Sequence, residues 1–304
     1  MKQLLVTGSS GFVGSTLVRY LEAHPELGHR AVGTEQTCDL RDPIAVRELV
    51  EQSRPDHVVH LAAQSFVPAS FADPRATFEV NLEGTLNLLE ALAHARFAGR
   101  LVYVSSGDVY GAVDEAFLPV EETLPPKPRN PYAVSKVAAE ALCHQWSCTE
   151  AVDVVIARPF NHIGPGQHER FAVSGFAKQV ASITLSQQTP VVRAGDVDVT
   201  RDFTDVEDVI RAYLLLIERG QRGETYNVAS GREVSLRDVI ESLCSLARVD
   251  AEIRVDPSRL RTGEQRRMRA SSRRIEAATG WSPLVPLEQS LERILEYWKK
   301  ELGG

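Results

Sequence analysis

Thr7-Gly-Ser-Ser-Gly-Phe-Val-Gly14 is the stretch that decides the fold. Its glycines follow an apolar run, Lys2–Thr7, that reads as a strand. They overlap the start of a helical pattern carried by Phe12, Val13, Leu17, Val18 and Leu21, with Gly28 just past its expected end. Bare backbone between a strand and a helix can approach a pyrophosphate, and the helix N-terminus then faces the anion. A tight turn alone would also use three glycines. The strand before and the helix after favour a dinucleotide cradle built from Gly8, Gly11, Phe12, Val13 and Gly14.

Outward from this turn the pattern repeats. Further strands are expected at 31–34, 57–62, 99–105 and 152–157, with helices at 44–51, 78–95 and 132–147 between most of them. Alternation of this kind predicts an α/β fold with a doubly wound parallel sheet, the Rossmann arrangement. Past about residue 160 the rhythm changes: Gly164-Pro-Gly166 breaks the chain, a helix follows near 171–185, and 201–219 reads as strand edge then helix. Ser235-Leu-Arg-Asp238 looks like a capping-box start, and Leu287, Leu291, Leu295, Trp298 and Leu302 share one side of a C-terminal helix. The expected division is a dinucleotide-binding domain over 1–159, to which 203–219 returns, and a smaller α+β substrate domain over 160–202 and 220–304.

Composition narrows the function classes. The chain has 304 residues, 43% hydrophobic and 25% charged, which suffices for a large core. Its apolar run at Ala212-Tyr-Leu-Leu-Leu-Ile217 is far short of a membrane span, and no secretory apolar region precedes the first strand, so a cytoplasmic protein is expected. A formal charge of −7 argues against nucleic acid as the main partner. The four cysteines show neither a C-x-x-C pair nor metal-ligand spacing and read as reduced and structural. His162 and His168 flank a glycine-rich turn without a third ligand in sight, so they read as loop histidines and no metal is expected.

Chemistry enters with Tyr132-Ala-Val-Ser-Lys136. On a helix these two side chains lie on one face about 6 Å apart along the axis. A neighbouring ammonium favours phenolate and would draw the tyrosine toward the working range of a general acid. Upstream, Val104-Ser-Ser-Gly-Asp-Val-Tyr-Gly111 ends a strand on Ser105-Ser106, so a hydroxyl reaches the crevice where such sheets bind ligands. Asp39-Leu40 either places a carboxylate and an apolar side chain at an adenine edge or only starts a helix. His60-Leu-Ala-Ala63 either lets a cofactor lie flat on Leu61, Ala62 and Ala63 or is simply a packed strand end.

With these motifs the chain resembles the extended short-chain dehydrogenase/reductases that act on nucleotide-activated sugars, over nearly its whole length. The resemblance implies a catalytic triad of Ser106, Tyr132 and Lys136, with Tyr132, Lys136 and Pro159 also against the cofactor, NAD(P)H. Asn81 matches a helix asparagine near the nicotinamide pocket, unless its amide serves an internal hydrogen bond. Arg158-Pro-Phe-Asn-His-Ile-Gly-Pro-Gly-Gln167 and Thr200-Arg-Asp-Phe-Thr-Asp-Val-Glu-Asp-Val209 look closest to the GDP-sugar branch, and within it to reductases of GDP-4-keto-6-deoxy-D-mannose. The resemblance then puts Asn161 on the sugar diphosphate, Arg201 and Arg261 as its counter-charges, and Glu264 on ribose or base. Gln64, Ser65 and Asn161 are candidates to position the hexose by location.

The implied reaction is hydride delivery to the sugar C4, with a proton from Tyr132 and the carbonyl oxygen held by Ser106. Related dehydratases use the same triad, and a glutamate two positions after the hydroxyl residue removes water across C5 and C6. Here the triplet is Ser106-Gly107-Asp108, in which Gly107 has no acid and Asp108 is one methylene short, favouring simple reduction; Asp108 then either hydrogen-bonds a sugar hydroxyl or braces the turn before Tyr110-Gly111. A 4,6-dehydratase or epimerase is the alternative, and a non-enzymatic nucleotide sensor is a third class. Gly33-Thr-Glu-Gln-Thr-Cys-Asp39 holds no cation for a 2′-phosphate, whereas Glu35 can hold a free ribose hydroxyl, which leans toward NAD. As in the family, a homodimer is expected through 78–95 and 132–147, with Leu82, Leu86, Leu89 and Leu92 facing Val137, Ala141, Leu142 and Trp146.

Overall fold

In the computed structural model, residues 1–33, 38–149, 151–260 and 265–303 are described. Strands β1 (Lys2–Thr7), β2 (His29–Val32), β3 (His57–His60), β4 (Arg100–Val104) and β5 (Asp153–Pro159) are joined by a later strand, β9 (Thr225–Val228), in one parallel sheet of order β2-β1-β3-β4-β5-β9. Successive side chains point to opposite faces, and because both faces are covered the strands are apolar almost throughout. Leu4, Val6, Val59, Val102, Val104 and Val155 face one layer; Leu5, Val58, Leu101, Tyr103, Val154 and Ile156 face the other. The first layer is α1 (Phe12–Ala23), α8 (Val206–Arg219) and α10 (Arg273–Thr279). The second is α2 (Pro43–Ser53), α5 (Gly84–His94) and α6 (Pro131–Cys148). Leu89 and Leu92, expected at a subunit interface, are instead 0% exposed in this second layer.

The helix expected over 78–95 is present and unbroken, but it begins earlier and carries a π turn. Short helices α3 (Val67–Ala72) and α4 (Pro74–Phe78) lead into a π turn, Glu79–Glu83. A widened turn of this kind gives up regular hydrogen bonding to aim a side chain, here Asn81.

The smaller lobe packs α7 (Ala172–Thr184), α9 (Leu236–Ala247) and α11 (Leu287–Gly303) around Phe176, Val180, Val239, Leu243, Leu291 and Leu295. Its strands are β6 (Asn161–Ile163), β8 (Thr200–Asp205) and β10 (Glu233–Ser235) in one sheet, and β7 (Val191–Ala194) with β11 (Glu252–Val255) in another. The sequence pattern assigns all of 220–304 to this lobe. β9 instead pairs with β5 in the large sheet, and α10 packs on α8 and β9.

Candidate active site

The register aligns Thr7 with His60, His60 with Tyr103 and Val104 with Ala157, so the carboxyl ends of four strands form one edge. At this edge the glycine turn closes on itself. Gly8 has a φ of +73°, and a Cβ on Gly14 would stand 2.2 Å from the Gly8 carbonyl oxygen. α2, α6, α8 and α9 start on Asp42, Asn130, Asp205 and Ser235 caps, whereas α1 starts on Gly11 with no side-chain cap and no acid in its first turn. Its amides and dipole are left for an anion, which fits a dinucleotide pyrophosphate. Phe12 stacks on His162 across the lobes, with ring centroids 6.1 Å apart, and Val13, Leu61, Ala62 and Ala63 are half-buried beside it.

In the segment after β2, Leu40 is 6% exposed and packs in the core beside α2 and α5. Asp39 is exposed and held bidentately by Arg41 at 2.7–3.1 Å, which lowers its carboxyl to about 2. Glu35 lies outside the described residues, as do Arg261 and Glu264.

Beneath the edge, His60 carries a buried relay. Thr85 Oγ1 donates to the Asn81 carbonyl, so it accepts from His60 Nε2 at 3.0 Å; Thr7 Oγ1 takes the Ala62 amide and donates to Nδ1 at 2.6 Å. With these partners neutral imidazole satisfies both ring nitrogens, Nε2 donating and Nδ1 accepting. Burial, with Lys136 adding, lowers the pKa of His60 to about 3. The unfolded chain binds this proton near pH 6.5 and the folded chain does not, so stability is lost as pH falls from about 6.5 toward 3. His60 alone should remove about 2 kcal/mol by pH 5. A denaturant midpoint unchanged between pH 7 and pH 5, or the same acid sensitivity in His60→Gln, would overturn this.

Asn81 is 1% exposed, and its amide is spent inside the protein: Nδ2 donates to the Gln64 carbonyl and Ser135 Oγ, and Oδ1 accepts from the Gln64 amide. Ser135 Oγ in turn donates to the carbonyl of Tyr132. Asn81 thus ties the loop after β3 to α6. The Gln64 side chain is likewise turned inward, onto Thr77 Oγ1 and the Phe66 amide, while Ser65 is exposed.

Ser106, Tyr132 and Lys136 come together at the end of β4. Ser106 caps the turn Gly107–Tyr110, its Oγ accepting from the Asp108 amide at 3.2 Å and sharing a hydrogen bond with the Tyr132 hydroxyl. Lys136, 3% exposed, donates to the Val104 carbonyl at 2.7 Å and lies 5.0 Å from the Tyr103 ring centroid; burial lowers its pKa to about 8. The tyrosine departs from expectation. Burial first, then the Asp108 carboxylate, raise its pKa against the Ser106 hydrogen bond, and the ammonium turned toward Val104 does not offset them. Tyr132 therefore stands as a phenol with a proton to give.

Across the edge, Asn161 is exposed on β6 opposite Phe203, and Pro159 is buried at the end of β5. Arg201 Nη1 donates to the Thr200 and Gln265 carbonyls, which fixes it against the stretch from Arg254 to Arg274, where eight arginines occur. Within that stretch Arg254, Arg259, Arg266, Arg267, Arg273 and Arg274 pair with carboxylates. Among the described residues, no group of three or more His, Cys, Asp or Glu is placed to hold a metal. The motif acids Asp202, Asp205 and Asp208 serve structure: Asp202 accepts the Ser230, Gly231 and Ala270 amides, Asp205 caps α8, and Asp208 takes the Leu284 and Val285 amides. The residue pattern gave no role to Glu140, although it stands one turn past Lys136 and is buried with Arg158.

Comparison with known proteins agrees with this geometry. The chain is 48% identical over 301 residues to the GDP-6-deoxy-D-mannose reductase of Pseudomonas aeruginosa strain PAO1, spanning 99% of this chain and 98% of that one. The solved structure of RMD from Pseudomonas aeruginosa complexed with NADPH matches with a TM-score of 0.94 at 48% identity, over 99% of this chain and 100% of that chain. GDP-6-deoxy-D-talose 4-dehydrogenase of Aggregatibacter actinomycetemcomitans is 34% identical over 254 residues, 83% of this chain and 82% of that one. Residues 4–229, from the first strand through β9, match the NAD dependent epimerase/dehydratase family, and to that family the chain belongs.

Proposed function

We propose that the chain reduces the C4 ketone of GDP-4-keto-6-deoxy-D-mannose, giving GDP-6-deoxy-D-mannose (GDP-D-rhamnose). NAD(P)H, held by the glycine turn and by Lys136, supplies the hydride when bound. Tyr132 donates its phenolic proton to the carbonyl oxygen, and Ser106 holds that oxygen beside the donor. Lys136 offers its ammonium to the nicotinamide ribose and favours the tyrosinate left after transfer. The smaller lobe takes the sugar nucleotide, with Asn161 and Arg201 toward the diphosphate.

Position 107 carries the choice of reduction over dehydration. A Cβ on Gly107 would lie 3.0 Å from the buried Phe160 ring, so a side chain there requires that ring to give by a few tenths of an ångström. Asp108 is exposed and close enough to Tyr132 to raise its pKa, but is one methylene shorter than the glutamate of related dehydratases. The expected result is NAD(P)H oxidation only when the keto sugar is added. GDP-mannose and oxidised cofactor in deuterated water should give no 4-keto-6-deoxy product; one bearing label at C5 would move the chain to the dehydratase class.

A homodimer through α5 and α6 belongs to the same reading. Val134 is 39% exposed on α6, where Val137, Leu142 and Trp146 are half-buried, as are Leu86 on α5 and Leu82 in the π turn before it. Apolar surface left along two neighbouring helices suits a self-complementary two-fold contact. Light scattering at micromolar concentration should give twice the chain mass, and Val134→Glu should lower it; a monomeric wild type contradicts the assignment.

A further inference from the structure

Arg158 on β5 grips Glu140 on α6 bidentately, Nε to Oε1 at 2.9 Å and Nη2 to Oε2 at 2.6 Å, with both side chains under 10% exposed. Its Nη1 donates to the Tyr110 hydroxyl at 2.9 Å, and its guanidinium lies 4.8 Å from the Tyr110 ring centroid. Tyr110 donates onward to Asn227 Oδ1 at 2.7 Å, and Asn227 Nδ2 donates to the Val120 carbonyl. Two facts of chain position give this cluster its meaning. Tyr110 closes the short turn that Ser106 caps, and Glu140 stands one helical turn beyond Lys136 and two beyond Tyr132.

We propose that Arg158, Glu140 and Tyr110 are positioning residues for the triad: they clamp the Ser106 turn to the Tyr132–Lys136 helix and keep the Glu140 carboxylate engaged away from Lys136. The proposal deepens the function given above and rests on that reading for its kinetic consequence. A buried ion pair contributes little net stability over an apolar pair of equal volume, because desolvation offsets the attraction. What it supplies here is register between two elements that each carry part of the site. It also supplies charge balance. The titratable groups around Lys136 are Tyr132, Glu140 and Cys143 on α6, Tyr103 on β4 and His60 on β3, with Asp108 beyond Tyr132. His60 is neutral, Tyr103 and Cys143 are pushed toward their neutral forms, and Glu140 favours the Lys136 ammonium. Arg158 therefore sets how strongly the carboxylate acts on the lysine.

The test is a direct titration of Lys136 in protein labelled with 13C at the lysine Cε, its resonance assigned with Lys136→Met, alongside pH profiles of kcat with NADPH and the keto sugar. Glu140→Gln should lower the Lys136 midpoint and Arg158→Met, which leaves the carboxylate unpaired, should raise it, each by roughly half a pH unit or more. The alkaline limb of kcat should move in the same opposite directions, and kcat should fall about tenfold in each with KM for the sugar little changed. Glu140→Leu/Arg158→Met, an apolar pair of similar volume, keeps the fold if either single variant does not; it should show the lowered midpoint and reduced kcat. Midpoints that move together or stay fixed, or a double variant with wild-type midpoint and kcat, overturn the proposal. Wild-type protein that ignores the keto sugar would instead sink the functional reading, while the titration still decides the role of the pair.

Discussion

Tyr132→Phe should retain NADPH binding and lose about 10²–10⁴-fold in kcat, the range by which a positioned acid accelerates proton transfer. The ring is 8% exposed and packed at the end of β4, so removing one oxygen leaves the wall of the site in place. What goes is the proton. The hydroxyl is a phenol held above its ordinary pKa by burial and Asp108, and its hydrogen bond to Ser106 keeps the proposed donor beside the hydroxyl proposed to hold the carbonyl oxygen. Ser106 keeps its other partner, the Asp108 amide, so the turn survives the substitution. KM for the sugar should change little, and the loss should appear in kcat and kcat/KM alike, the mark of an interaction made in the transition state. Turnover like wild type in this variant would refute the assigned acid. A large rise in the NADPH dissociation constant without change in kcat would transfer the role of Tyr132 to binding.

The parts of this site that the chain advertises are those whose chemistry depends on local spacing. A strand followed by Gly8, Gly11 and Gly14 and then an apolar helix admits few structures, and Tyr132 with Lys136 needs only one helical turn to meet. Partners remote in sequence are harder to read. Leu40 follows a strand with nothing in its local spacing to mark it as core, yet it packs beside α2 and α5 just before Asp42 caps α2. Asn81 and Gln64 are 17 residues apart and satisfy each other through a π turn that periodicity does not reveal. β9 escapes as a strand because Thr225-Tyr-Asn-Val228 is short and includes an asparagine. That asparagine is 0% exposed and takes the hydrogen bond of Tyr110, more than a hundred residues earlier. Glu140 gave a signal that spacing analysis can use: an acid on the inward face of the same helix as Tyr132 and Lys136 requires a buried cation, and Arg158 closes the neighbouring strand.

Gly14→Ala should raise the NADPH dissociation constant by about 100-fold or more and lower the stability of the cofactor-free protein, whereas Gly11→Ala should do mainly the first. The two differ in what a methyl group meets. At Gly14 it would lie 2.2 Å from the Gly8 carbonyl oxygen and 2.8 Å from Ser9 Cα, both backbone atoms, so the turn must open whether or not a cofactor is present. Forcing atoms into packed backbone costs about 1–3 kcal/mol and often more. At Gly11 the neighbour within 4 Å is the Gly8 carbonyl at 3.3 Å, a contact that small adjustment relieves. Gly11 is the N-cap of the uncapped α1, where the proposed pyrophosphate site lies, so a methyl there is expected to weaken binding more than the fold. Gly8→Ala falls between them, with a left-handed φ of +73° and a Cβ 2.8 Å from the Ala62 amide nitrogen. It carries a backbone penalty of about 1–2 kcal/mol besides the clash. Thermal midpoints without cofactor should rank Gly11→Ala above Gly8→Ala and Gly14→Ala, and fluorescence titration with NADPH should find all three weakened. If Gly11→Ala binds like wild type, the pyrophosphate does not lie at the start of α1; if Gly14→Ala is as stable as wild type, closure of the turn is not what that glycine provides.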